Sequence, residues 1–282
     1  MNDLNQYTRT TTVRNKWSLV VKVLIPVLIF WGLQGLTQVL VMLGDVLIHL
    51  MKNMEQEVNV SQWITQDTMA VSLLTLVLSS LLTVGLLSLM HIGTSRQQWI
   101  MPSFKEFVAY VALLLGMVIW VDFLLSWLQL PDWNNSLMYG LMQSPWGILT
   151  ITLLGPVAEE FVFRAGVTER LLGYVKPSVS IFVSALIFGL VHINPPQIIG
   201  AGLLGLLLAF SYYKTRSLCL PIMLHVINNS LAVGVTLYSE NKTESLRTLV
   251  SNDSGMWAYP ILLVLAALIG VGGLYTILKA KK

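Results

Sequence analysis

The chain has 282 residues and a mass of 31.4 kDa; 55% of its residues are hydrophobic, only 11% are charged, and the mean hydropathy is +0.71. Soluble domains carry about a quarter charged residues, so this composition excludes an ordinary cytosolic enzyme and a disordered chain and points to a membrane. A net charge of +3, scattered between apolar blocks, excludes a nucleic-acid partner, and the single Cys219 excludes an intrachain disulfide or a thiolate metal cage.

A helix needs about 20 apolar residues to cross the hydrocarbon core. Eight apolar blocks stand out, at 20–43, 68–90, 107–128, 146–172, 178–193, 198–213, 218–238 and 257–278. They predict an all-α, polytopic membrane helical bundle of about eight transmembrane helices, with no cleavable signal sequence before the first. Without an internal repeat or a Pro-, Gly- or Ser-rich linker, residues 1–282 read as a single integral membrane domain. If the amino terminus is cytoplasmic, Lys52, Lys242 and Arg247 are the only basic residues among 17 that fall outside. Such an excess of inner Lys and Arg sets orientation, so both termini of this multi-pass cell-membrane protein are expected to be cytoplasmic.

Blocks 178–193 and 198–213 are each about 24 Å long at 1.5 Å per residue, short of the roughly 30 Å core. Between them lie Asn194, Pro195, Pro196 and Gln197. Polar, non-helical backbone at membrane depth requires surrounding protein or a water-filled cavity, so a wet pocket is expected there.

Ionisable side chains inside apolar spans are costly, and each is a candidate for function. Here they gather in the second half. The run GPVAEEFVFRAG carries Glu159, Glu160 and Arg164; His192 follows Phe188 in the next block; His225 precedes Asn228 and Asn229. Residues four apart share a helical face, which pairs Glu160 with Arg164 and turns Glu159 about 100° away. Glu159, with no cation beside it, is the better candidate general base, and Glu160 a brace. His225 and Asn229 also share a face and offer hydrogen bonds to a developing oxyanion. Buried polar pairs that only hold helices together are the structural alternative. If the blocks around 146–172 and 178–193 form a hairpin turning near 173–177, Glu159 and His192 fall at nearly one level. Agreement with His225 would require the arms to project about 10 Å past the bilayer, giving a cavity open to the cytoplasm.

The three motifs EEFVFR, FGLVH and HVINN fit EExxxR, FxxxH and HxxxN in order. In this the chain resembles the CPBP family of intramembrane proteases, also called the Abi or CAAX prenyl protease-like family, over roughly residues 145–240, a protease core. The resemblance implies an intramembrane endopeptidase acting on a membrane-associated or prenylated-type peptide, with links in bacterial relatives to bacteriocin immunity or peptide maturation. It implies that Glu159 activates water held with His192, that His225 and Asn229 stabilise the oxyanion, and that Glu160 and Arg164 brace the site. Phe188 is expected to pack. The partners implied are lipid and a substrate with a membrane-embedded or lipidated end. The family was first described as metalloproteases and later as glutamate proteases. No HExxH helix is present, and zinc on Glu159, His192 and His225 would consume the base, so no cofactor is favoured and zinc is the alternative.

Other signals are discounted. Gly200, Gly202 and Gly205 spell GxGxxG within an apolar helix, which suits close helix packing rather than a dinucleotide. Asp122 suits an interhelical hydrogen bond, with substrate contact as the alternative; His49 and His91 suit the interface; Cys219 and His225, six apart, fall on opposite helical faces. Two other function classes compete: a non-catalytic membrane scaffold, and a proton-coupled small transporter, against which the missing repeat argues.

Overall fold

A computed structural model describes residues 16–52, 68–133, 135–239, 246–255 and 257–280. Arg9, Arg14, Lys242, Lys281 and Lys282, on which the charge asymmetry partly rests, lie outside those residues, as does the side chain of His49. The described chain is helical: α1 Lys16–Lys52, α2 Thr68–Leu89, α3 Phe104–Leu128, α4 Asn135–Met142, α5 Pro145–Leu172, α6 Pro177–Leu190, α7 Pro195–Thr215, α8 Cys219–Tyr238, α9 Leu246–Ser254 and α10 Ala258–Lys279. Seven of these are long and apolar enough to cross a membrane, and α6 is a shorter apolar helix of 14 residues. The protein is a multi-pass membrane bundle.

The sixth predicted block proves longer than expected. Proline at the first helical positions lacks only an N–H that would be unpaired anyway, and its fixed φ suits the helix start. Pro195 and Pro196 therefore begin α7, which reaches 21 residues, about 31 Å. Asn194, expected in a non-helical polar stretch, is buried at the turn: it donates to Asp132 Oδ1 at 3.0 Å and accepts from the Trp133 N–H at 2.9 Å. Ile193, with φ +61°, makes the reversal between His192 and Asn194. A β-branched residue pays for that left-handed conformation, and such strain gathers at functional sites.

α5 is the central helix. Every residue from Phe161 to Thr168 is buried, whereas α1 and α10 keep most of their apolar surface turned outward, as lipid-facing helices do. α5 is also irregular. Thr150–Leu154 and Phe161–Thr168 are wound as π-helix on either side of an α-helical Gly155–Glu160. Such local widening is common where helices carry functional groups. Small residues set the close pairs: a Cβ on Gly189 of α6 would stand 2.5 Å from the Ile198 carbonyl of α7, and one on Gly116 of α3 would stand 2.6 Å from the Ala266 carbonyl of α10.

Candidate active site

Glu159 and Glu160 leave the short α-helical piece of α5 in different directions and have different surroundings. Glu160 is fully buried. Its Oε2 lies 3.0 Å from Arg164 Nε, and its Oε1 accepts from His225 Nδ1 at 2.8 Å. The Arg164 contact is an ion contact without hydrogen-bond alignment, and the guanidinium carbon lies 4.6 Å from the centre of the Phe188 ring, so charge and the ring face hold it. A carboxylate facing Arg164 accepts, so the hydrogen on His225 Nδ1 points to Glu160 and Nε2 is the reactive edge of the ring. Nε2 lies 3.7 Å from Glu159 Oε2, too long for a direct hydrogen bond. One water can touch both atoms from the side.

His192 sits at the end of α6, its Nδ1 donating to the Phe188 carbonyl at 2.8 Å. A carbonyl only accepts, so Nε2 is again the free nitrogen. Phe188, with no exposed surface, meets both imidazoles edge-on, at 5.1 Å from His192 and 5.7 Å from His225 between ring centres. One side chain thus packs both histidines and Arg164.

Glu159, His192, His225 and Asn229 line one cavity of about 440 Å³, together with Phe188, Asn228, Gln197 and Asp122. Glu160 and Arg164 lie behind it. The structure therefore gathers all six candidates, from α5, α6 and α8. Asn229 has a further task. Its amide donates to the Ile151 carbonyl at 2.9 Å and its oxygen accepts from Asn228 at 3.1 Å, leaving one of its two amide hydrogens. The expected pair of oxyanion donors thus includes a side chain already engaged with the main chain of α5.

The cavity expected to open toward the Lys- and Arg-rich face runs the other way. Its lining continues along α8 to Thr236 and reaches Leu125 of α3 and Leu246 of α9. Toward Arg216 the bundle is filled by Leu208, Tyr212, Leu220 and Leu224, none with exposed surface. The levels of the motifs nevertheless agree, for a reason other than a projecting hairpin. Arg216 pairs with Glu169 at 2.9 Å, so the foot of α5 and the α7–α8 turn share a height, and Glu159 and His225 both stand about 13–15 Å above it.

Residues 141–231 match a family model described as type II CAAX prenyl endopeptidase Rce1-like. Over this stretch, about a third of its length, the chain is similar to the CPBP family. Two curated relatives agree: YdiL of Bacillus subtilis, named as a proposed membrane peptidase, is 25% identical over 123 residues, which are 42% of this chain and 50% of that protein. The membrane-embedded CAAX protease MroQ of Staphylococcus aureus is 30% identical over 92 residues, 30% of this chain and 37% of that protein. The chain thus spans half or less of the length of these relatives, and no solved structure matches it at a significant level.

Among the described residues, no three His, Cys, Asp or Glu side chains are gathered closely enough to hold a metal ion. Glu159, His192 and His225, the alternative zinc set, are thus not brought together as ligands. Sequence reasoning missed the Asn229–Ile151 bond; its signal was Pro156, four residues before Glu160. It left Asp122 outside the site, yet Asp122 lines the cavity while accepting from Tyr259 Oη at 2.9 Å and from the Leu246 N–H at 3.1 Å. Gly202 and Gly205 face α6 and are packing residues, whereas Gly200, near Leu125 and Val121 of α3, lines the cavity.

Proposed function

We propose that the protein is an intramembrane endopeptidase that hydrolyses a peptide bond with water activated by Glu159. The observation that carries this reading is the pair of opposed carboxylates around His225: Glu160 fixes the ring from behind, and Glu159 faces the same ring from inside the cavity.

A water between Glu159 and His225 gives a proton to Glu159 as its oxygen attacks the peptide carbonyl. The carbonyl oxygen becomes an oxyanion, for which donors on the cavity wall are favourable; His225, when protonated at Nε2, and the remaining amide hydrogen of Asn229 are in position to contribute. Glu159 then returns the proton to the departing amine, so no net charge is left in the membrane. His192, through Nε2, holds the water or the peptide. Glu160 and Arg164 keep His225 oriented and do not touch the substrate.

The substrate class that suits the site is a membrane-associated peptide, prenylated-type or with a membrane-embedded end, because the cavity is apolar over much of its wall and lies among the spans. The family resemblance extends this to peptide maturation or bacteriocin immunity. We place the termini on the cytoplasmic side of the cell membrane, which the distribution of Lys and Arg supports.

The test is cleavage of membrane-anchored peptides by the full chain in liposomes. Loss of at least about a hundredfold in Glu159→Ala, with the fold retained, is expected by analogy with removal of a general base acting in water activation, where factors of about 10²–10⁴ are typical. Turnover surviving Glu159→Ala would end the mechanism, and a wild-type phenotype in cells carrying that variant would favour a scaffold.

A further inference from the structure

A second cavity, of about 710 Å³, occupies the opposite end of the bundle and shares no lining residue with the first. Its walls are the first turns of α3 and the last turns of α7 and α10. Lys105, Lys214 and Lys279 enter it from these three helices. None of the three has a carboxylate within 4.0 Å among the described residues. The one acid of the wall, Glu106, is engaged elsewhere: it accepts from Ser103 N at 3.0 Å and from Ser103 Oγ at 2.7 Å, closing the cap of α3. Lys279 leans on a neutral partner, Tyr275, with Nζ 3.3 Å from the hydroxyl. At the back of the wall, Tyr110 is only 2% exposed and its hydroxyl has no hydrogen-bond partner.

Three lysines against the one carboxylate of Glu106 leave the wall net positive, and a buried hydroxyl without a partner costs free energy. An anion bearing several acceptor oxygens relieves both. The surroundings add a second property: Phe104 and Leu278, the chain neighbours of Lys105 and Lys279, are 82% and 63% exposed and put apolar surface at the ends of spanning helices, where acyl chains lie. Basic pockets between transmembrane helices are suited to phosphorylated lipid headgroups. We propose that this cavity binds an anionic phospholipid by its headgroup phosphate, with Lys105, Lys214 and Lys279 on the phosphate oxygens and Tyr110 as a neutral donor behind them. The ligand chemistry is a phosphate; the occupant is lipid rather than free phosphate because the lysines sit at the ends of spanning helices whose next residues, Phe104 and Leu278, expose apolar surface. The inference is independent of the proteolytic reading.

The experiment is native mass spectrometry of the full chain in neutral detergent, titrated with phosphatidylglycerol or phosphatidylcholine, with inorganic phosphate as a competitor. Retention of phosphatidylglycerol over phosphatidylcholine is expected in the wild type. It should fall at least roughly tenfold in Lys105→Gln/Lys214→Gln/Lys279→Gln, given the energy of about 1 kcal/mol carried by each lysine near an anionic surface. Lys176→Gln, on the exposed α5–α6 loop, should bind as the wild type does. If the triple variant does not fold, as read by its melting temperature in the same detergent, Lys105→Gln and Lys279→Gln, both exposed, should each lower retention roughly threefold. Equal retention in variants and wild type overturns the proposal, as does equal loss in Lys176→Gln. Displacement of the lipid by millimolar phosphate overturns the assignment to lipid.

Discussion

The side-chain amide of Asn229 donates to the main-chain carbonyl of Ile151 across 2.9 Å, and it does so where α5 has no donor of its own. In the π-wound stretch the Gly155 N–H turns to Thr150, and the next residue in register for Ile151 is Pro156, which has no N–H. A carbonyl left unpaired inside a membrane costs several kcal/mol, so α8 is docked on α5 at the residue that also lines the cavity. Asn229→Ala should therefore lower stability by ~1–3 kcal/mol, read as thermal unfolding in detergent. Pro156→Ala supplies an N–H, and the double variant should be more stable than the two single effects added. Strict additivity of the two changes would remove the link.

Glu159 and Glu160 are adjacent in sequence and should fail in different ways. Glu160→Gln takes the negative charge from between Arg164 and His225, leaving a buried guanidinium without its counter-ion; loss of one partner of a buried pair costs ~3–5 kcal/mol. Glu159, whose side chain is 20% exposed and has no ion partner closer than 3.7 Å, carries no such burden. Glu159→Gln should melt within about 0.5 kcal/mol of the wild type, as substitutions away from tight networks do, while abolishing peptide cleavage. Parallel melting curves and turnover measurements on the two variants decide it; equal destabilisation would mean that the division of labour between them is wrong.

How far this division was legible in the sequence depends on which link is asked. The eight apolar blocks were, because 20-residue hydropathy is set by the bilayer and not by tertiary contacts. The Glu160–Arg164 pair was, because four-residue spacing forces it, and it persists at 3.0 Å even though the helix beyond Glu160 is π-wound. The contact of His225 with Glu160 was not, since spacing within one helix says nothing of the rotation of another about its axis. The direction of the cavity was read wrongly for a related reason. It depends on Leu208, Tyr212, Leu220 and Leu224 filling one end of the bundle, and these look in sequence like any other lipid-span residues. The start of α7 was misjudged because Pro195 and Pro196 were taken to interrupt a helix that they in fact open.

Phe188 is placed to test positioning without removing a titrating group. Its ring packs edge-on to both histidines and faces Arg164 from 4.6 Å. Phe188→Leu keeps most of the volume, so the loss of stability should stay near 1–1.5 kcal/mol. Both imidazoles lose the surface that fixes their orientation, and misplacement of about 1 Å lowers rates by about a hundredfold. A fall in kcat well beyond that in stability, with KM little changed, is the expected signature. A variant whose turnover tracks its melting temperature alone would reduce Phe188 to a core residue.

The course of the cavity makes a prediction about sidedness that needs no substrate. Thr236 lines the cavity at the end of α8 remote from Cys219, and Lys105 is exposed at the start of α3, at the lysine-bearing end of the bundle. In a Cys219→Ser background, Thr236→Cys and Lys105→Cys should react with a membrane-impermeant maleimide from opposite faces of sealed, oriented vesicles. With cytoplasmic termini, Lys105→Cys is labelled from the cytoplasmic face and Thr236→Cys from the other. Soaking with a peptide that occupies the cavity should slow only the Thr236→Cys reaction, because Leu208, Tyr212, Leu220 and Leu224 close the path between the two ends. Labelling of both cysteines from one face would mean that water reaches Glu159 through the lysine-bearing end, and that the packed leucines open in the membrane.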